Sequence, residues 1–308
     1  MPIHRRFARL LAFAVLLPAP ALLAAQPAAA RGYEGHLRVG GRDRSYWVDL
    51  PPRYDRHRAL PLVLVFHGGG GSGRLARRQT GMSELAAREG FIAVYPDGSG
   101  RFGGGRLLTW NAGSCCGYAR ARRIDEAAFA RALLDTLQAR YRVDPSRIYA
   151  AGHSNGGMMA YIVGCALGGR VAAIAVVSGE LTMPECRPPR PVSVLVIHGT
   201  ADDHLPFGGG VGPAAVAKHD ARGVAYAVDT WRRVDACPAR ASVETRGSVV
   251  VTRYATCAGG ASVELHAIQG GGHAWPGGRR TARFMDAPGT ALQATPLIWS
   301  FFAAHPRR

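Results

Sequence analysis

Three near-continuous apolar runs constrain this chain more than any other feature: "LPLVLVF" at 60–66, "VAAIAVVSG" at 171–179 and "PVSVLVIHG" at 191–199, while "SRIYAAGHSNGG" reads as a strand and then a turn. A strand with one wet face alternates apolar and polar residues, and these runs do not. Strands buried on both faces do read this way, and they belong to parallel sheets covered by helices. The intervening segments supply the helices. "RLARRQTGMSELAAREG" (74–90) reads as one helix ending at Gly90, and "RIDEAAFARALLDTLQARY" (123–141) sets Phe129, Leu133, Leu137 and Tyr141 at a spacing of four. "MMAYIVGCALGG" and the C-terminal "TALQATPLIWSFFAAH" also read as helices. "HLRVGGRDRSYWVDLP" reads as two strands about a Gly-Gly turn, "FIAVYPDG" as a strand, "ASVETRGSVVVTRYAT" as a hairpin and "ASVELHAIQGGGH" as the last strand. Strands alternating with helices imply an α/β fold with a mostly parallel central sheet and helices on both faces. In such sheets the active site lies at the carboxyl ends of the strands.

The N-terminus follows a different logic. Arg5, Arg6 and Arg9 precede the apolar run "LLAFAVLLPAPALLAA", and small residues of the Ala-x-Ala kind follow it. This is the layout of a cleaved signal peptide over 1–30, with cleavage near Ala30. A membrane anchor fits less well, because Pro18 and Pro20 interrupt the run. No Cys follows it to carry a lipid, and the arginine pair hints at twin-arginine export. The remaining 31–308 shows no linker and no repeat, so it reads as one catalytic domain. At 47% hydrophobic and 19% charged residues the full chain of 308 can bury a sizeable core.

The formal charge of +17 falls to +14 without 1–30, which contain three arginines and no acids. Such a balance can signal a nucleic-acid partner. Here the arginines are scattered singly or in pairs, and Lys218 is the one lysine. That is a compositional habit rather than a binding stripe, and no nucleic-acid partner is expected. Six cysteines in an exported chain point to disulfides. Cys237 and Cys257 flank a hairpin and are expected to bridge. A bond between the neighbours Cys115 and Cys116 would be strained, so each is expected to pair elsewhere, with Cys165 and Cys186 as candidates. No Cys or His spacing indicates a metal site, and no cofactor is expected.

The chemistry centres on "GHSNGG". Gly152-His153-Ser154-Asn155-Gly156 sits between a strand and a helix, which is the context of a nucleophile elbow. A serine nucleophile needs a base, and the base needs an orienting carboxylate. The acid should follow a later strand, where "HGTADDHLPF" offers Asp202 and Asp203; Asp202 is preferred. The histidine should come later still. His266 lies within a strand, His305 in the tail, and His219 in a polar segment that reads as surface. His204 stands too close to the acid to reach across the site. His273, on the flexible loop "QGGGHAWPGG", is the candidate base. Backbone N–H groups of Asn155 and of the loop "HGGGGSG" are candidates for an oxyanion hole, with Gly69 chosen and Gly70 close behind. A phosphate loop is excluded, since no Gly-Lys-Ser/Thr follows these glycines.

Together, "FHGGGGSG", "WNAGSCCG", "GHSNGGMM", "HGTADDHLPF" and "GGGHAWPGG" resemble the α/β-hydrolase superfamily. The resemblance is closest to secreted esterases related to polyhydroxybutyrate depolymerases, feruloyl esterases and acetyl xylan esterases. It implies a serine carboxylesterase with Ser154, Asp202 and His273 as nucleophile, acid and base. It implies an oxyanion donor at Gly69, where many relatives carry Cys. It also sets the "WNAGSCCG" loop beside the site, making Trp110, Asn111 and Trp275 candidate substrate contacts. The implied partner is an ester, either a polyester oligomer or a plant-wall ester. A peptidase on the same fold and a non-catalytic binding protein are the competing readings. The sequence does not say whether the glycine-rich segment 207–223 acts as a lid.

Overall fold

The computed structural model describes residues 31–102, 105–281 and 285–308. The proposed signal peptide at 1–30 therefore lies outside the described residues. Twelve strands are described: β1 (Arg31–Val39), β2 (Arg42–Leu50), β3 (Leu60–Phe66), β4 (Ile92–Pro96), β5 (Val143–His153), β6 (Ala173–Val177), β7 (Ser193–Gly199), β8 (Gly209–Gly210), β9 (Ala221–Arg222), β10 (Ser242–Arg246), β11 (Val249–Tyr254) and β12 (Val263–Ile268). Ten of them form one sheet in the order β1-β2-β4-β3-β5-β6-β7-β12-β11-β10, and β8 pairs with β9 separately. The central strands from β4 to β12 run parallel, and both edges finish antiparallel.

The helices are α1 (Gly73–Thr80), α2 (Met82–Glu89), α3 (Gly117–Ala121), α4 (Glu126–Arg140), α5 (Asn155–Leu167), α6 (Val224–Val234) and α7 (Ala294–Ala304). Successive side chains of a strand point to opposite faces, and β3 shows the consequence. Leu62, Leu64 and Phe66 join a core with α4, α5 and α6, whereas Val63 and Val65 join a second core with α1, α2 and α7. Every residue of β3, β4, β6 and β7 is buried, as the uninterrupted apolar runs require.

Two expectations need correction, and one helix is an addition to the sequence reading. The helical stretch 74–90 is two helices, because Gly81 adopts φ 65° and ends α1 where α2 starts. The helix α6 follows directly on the glycine-rich 207–223 and had not been read from the sequence. The cysteine pairing differs too: Cys237–Cys257 bridges as expected, but Cys165 pairs with Cys186 and Cys115 with its neighbour Cys116. Cys165 on α5 and Cys186 on the loop after β6 stand 5.1 Å apart at Cα, so they meet each other and leave the adjacent pair to itself.

Candidate active site

The site is assembled at the carboxyl ends of β3, β5, β7 and β12. Ser154 links β5 to α5 with φ 57° and ψ −124°, a region that non-glycine residues avoid. The flanking glycines explain how the chain reverses there. A Cβ on Gly152 would overlap the Gly156 carbonyl, and a Cβ on Gly156 would overlap the carbonyls of Phe66 and His67. Ser154 thereby stands at the N-terminus of α5, where backbone N–H groups lack intrahelical partners and the helix dipole favours negative charge.

Ser154 Oγ lies 2.8 Å from His273 Nε2, and His273 Nδ1 lies 2.7 Å from Asp202 Oδ2. An ionised carboxylate only accepts, so Nδ1 carries the proton and Nε2 is free to accept from the serine hydroxyl. Asp202 is held by more than this histidine. Its Oδ1 accepts the N–H groups of His204 at 3.0 Å and Leu205 at 2.9 Å. His198 Nε2 stands 2.8 Å from the Leu205 carbonyl and 3.3 Å from Asp202 Oδ2. Burial pushes the Asp202 carboxyl up, but hydrogen bonds and charge from His198 and His273 outweigh it. The net result holds the carboxyl well below the ordinary range. Asp203 is exposed and accepts instead from His204 at 2.8 Å, so the geometry separates the two aspartates.

His273 sits in a frame the sequence reading did not contain. Asp286 Oδ2 accepts the His273 backbone N–H at 2.6 Å. The His204 ring, next to the acid as the sequence suggests, stacks on the His273 ring at 4.6 Å and 17°. On another side His153, buried, has its ring 5.0 Å away; burial keeps His153 well below the ordinary histidine range. His219 is half-buried rather than a free surface residue, 2.6 Å from Glu180. His266 is buried in β12 beside Glu264.

The glycine loop after β3 faces the same point. Gly70 donates its N–H to the Leu108 carbonyl, and Gly71 to the Gly68 carbonyl. Among the described residues no such bond engages Gly69, whose Cβ direction points at Asn155 Cβ, 3.7 Å away. His67 braces this loop: Nδ1 donates to the Gly68 carbonyl at 2.8 Å, and Nε2 accepts the Gly98 N–H at 2.9 Å. Burial pushes its pKa down to about 4, so the ring is neutral near pH 7.

Trp110 and Trp275 are not substrate contacts. Trp110 is fully buried against Phe66 and Phe129 and donates its indole N–H to the His67 carbonyl at 2.9 Å. The Asn155 side chain bonds both its N–H, at 2.8 Å, and its carbonyl, at 3.1 Å. Trp110 thus braces the elbow from behind. Trp275 is buried and donates to Thr295 Oγ1 at 2.9 Å, fastening the His273 loop to α7. Asn111 donates its amide to the Ile124 carbonyl and borders a cavity of about 470 Å³ with Gly113, Arg120 and Arg123. An apolar wall of Ala112, Cys115, Met158, Leu205 and Ala221 adjoins the elbow. Asp203, His204 and Asp286 bring donor atoms within 4.8 Å of one another, as do Asp202, His204 and His273. In both sets these atoms already hydrogen-bond within the frame described.

Comparison with known proteins agrees with this architecture. Residues 38–233 match the esterase family model, described as "Putative esterase". The chain is 34% identical over 257 residues to "Putative esterase NocK" of Nocardia uniformis, covering 78% of this chain and 73% of that protein. It is 31% identical over 238 residues to feruloyl esterase B of Piromyces equi, covering 75% of this chain but 42% of the relative. Among solved structures, the acetyl xylan esterase from Aspergillus awamori superposes with a TM-score of 0.57 at 14% identity, covering 88% of this chain and 99% of that one. The dienelactone hydrolase-like phosphotriesterase P91 gives 0.61 at 19%, covering 90% and 99%. These two likenesses carry the α/β-hydrolase fold. By its family model and relatives, the chain belongs to the esterase family and is a carboxylic ester hydrolase.

Proposed function

We propose that Ser154, His273 and Asp202 perform the ester hydrolysis as nucleophile, general base and orienting acid. The observation that carries this is the unbroken chain from Ser154 Oγ to His273 Nε2 and from His273 Nδ1 to Asp202 Oδ2, set on the elbow. Ser154 Oγ bonds to the ester carbonyl carbon as His273 Nε2 takes its proton. The carbonyl oxygen becomes anionic and meets the N–H groups of Asn155 and Gly69. Collapse breaks the bond to the alkoxy oxygen, and His273 returns the proton to the leaving alcohol. Water then attacks the acyl-serine by the same route, leaving a carboxylic acid and free Ser154.

The substrates are acetyl or feruloyl esters of the plant wall, with polyhydroxyalkanoate oligomers as the second candidate. The names of the relatives favour the former. Residues 1–30 direct export and leave, and 31–308 act as one catalytic unit. Three disulfides fit an oxidising compartment. No helix among the described residues is long and apolar enough to cross a membrane.

The test is product release from methyl ferulate, acetylated xylan and amorphous polyhydroxybutyrate. Ser154→Ala is expected to lower kcat by roughly 10⁴ or more, and Asp202→Asn by about 10⁴, since the amide stabilises the wrong histidine tautomer. An Asp202→Asn enzyme with near-normal kcat would remove Asp202 from the mechanism. Hydroxybutyrate as the dominant product would reverse the substrate order.

A further inference from the structure

The end of the sheet remote from Ser154 carries a second concavity, of about 440 Å³. That volume lies in the range of small-ligand sites. Three segments build it: Tyr33 on β1, Tyr54 and Arg56 on the loop after β2, and Arg140 and Tyr141 at the end of α4. The seven residues of β3 separate this end of the sheet from the elbow, a span of about 20 Å at ~3.3 Å per residue.

The walls are fixed in place. Tyr54 Oη accepts the Arg142 N–H at 2.8 Å, and the Leu60 N–H donates to the Arg142 carbonyl at 2.9 Å, tying the loop to the start of β5. The Tyr54 and Tyr141 rings meet edge to face with centroids 6.1 Å apart. Tyr33 presents an open flank at 45% exposure.

The charge around these rings is one-sided. Arg56 and Arg140 line the cavity, and Arg53, Arg58 and Arg142 flank it on the same segments, all exposed. No carboxylate among the described residues forms an ion pair with any of the five. Asp55 is the one acid lining the cavity, and its Oδ1 is engaged by the His57 N–H at 3.0 Å. Asp55 offsets one of these charges, so the guanidinium forks stay in excess beside aromatic faces and suit a ligand with carboxylates and apolar C–H faces.

We propose that this cavity is a non-catalytic binding site for an acidic saccharide, a uronate-bearing segment of a wall polysaccharide. The Tyr33 and Tyr54 rings pack on the sugar C–H faces, and Arg56 and Arg140 take the carboxylate. The site holds the esterase on its polymer while the elbow works on esters about 20 Å away. The choice of a saccharide rests on the wall-ester reading; the aromatic and cationic lining does not.

The test measures binding with hydrolysis switched off. Full-length mature Ser154→Ala protein is titrated by calorimetry with glucuronic-acid-bearing xylo-oligosaccharides, neutral xylo-oligosaccharides and an oligothymidylate. The titrations are repeated in Arg56→Gln/Arg140→Gln, in Tyr33→Ala, and in Arg187→Gln/Arg190→Gln as a charge-matched control on another surface. The acidic saccharide is expected to bind about tenfold or more tighter than the neutral one. That preference should vanish in Arg56→Gln/Arg140→Gln, weaken in Tyr33→Ala and persist in the control. In an otherwise wild-type enzyme, Arg56→Gln/Arg140→Gln should leave methyl ferulate turnover unchanged. Equal loss in the two double variants would reduce the effect to net charge and overturn the site. So would an absence of binding, or oligothymidylate binding as tight as the acidic saccharide. Saccharide binding without release of ferulate or acetate from wall esters would leave the site standing and overturn the substrate reading alone.

Discussion

Asp202 and Asp235 show at the scale of one residue what burial does to a carboxyl with and without partners. Both are buried. Asp202 receives two backbone N–H groups and two imidazoles and remains ionised. Asp235 has the Val192 N–H on Oδ1, at 3.1 Å, and no hydrogen-bond partner on Oδ2 among the described residues. Burial therefore dominates and pushes its pKa up to about 7. An unfolded aspartate titrates near pH 4, so folding takes up a proton at intermediate pH. The stability this contributes is present below pH ~4 and is lost as pH rises to about 7, at about 1.4 kcal/mol per unit. Asp235→Asn has no such loss. Denaturant melts at pH 5 and pH 8 should show the variant gaining roughly 3 kcal/mol on wild type between them. A constant difference at both pH values would mean that Asp235 is ionised in the fold throughout.

At the scale of elements, what the sequence makes legible is what local chemistry decides. The three apolar runs became buried strands because a strand covered on both faces has no polar position to spare. Gly-x-Ser-x-Gly was readable because two crowded backbone approaches admit only glycine at Gly152 and Gly156. Asp202 and His273 were readable from strand order. Asp286, His204 and His198 were not, since no local pattern announces which residue from 13 or 69 positions away will touch His273. His198 lay in a quoted motif, yet its side chain acts on the acid rather than on the serine. The two tryptophans misled because an aromatic beside a catalytic motif reads alike whether it faces substrate or core. Gly81 misled in another way: the apolar spacing runs through it, but its left-handed φ ends one helix and begins the next. Nothing lies within van der Waals contact of a Cβ there except Glu84 Oε2 at 3.9 Å, so a substitution meets backbone strain alone. Gly81→Ala is expected to destabilise the protein by about 1 kcal/mol, with the elbow and kcat unchanged. A stabilised variant would indicate that the two helices fuse into the single one its spacing suggests.

Across the whole molecule, the loops that carry Asp202 and His273 are held by hydrogen bonds, whereas the amino ends of their strands lie beside a disulfide. Cys237–Cys257 joins the end of α6 to the segment before β12. The Asp235 carbonyl accepts the Ala258 N–H nearby, and the Asp235 carboxylate caps Val192 ahead of β7. These contacts lie at the amino ends of β7 and β12, whereas Asp202 and His273 follow their carboxyl ends. The two loops meet at Gly199, where a Cβ would overlap the Gly271 carbonyl, so their register depends on the parallel β7–β12 pairing rather than on the bridge below it. A disulfide closing a loop of this length, with a sequence separation of 20, restricts the unfolded chain by about 3 kcal/mol. Cys237→Ser/Cys257→Ser should therefore lose about 3 kcal/mol in denaturant melts while the folded fraction keeps wild-type kcat and KM. A fall in kcat at full occupancy of the folded state would mean that the β7–β12 register, and with it the distance from His273 to Asp202, is set by the bridge.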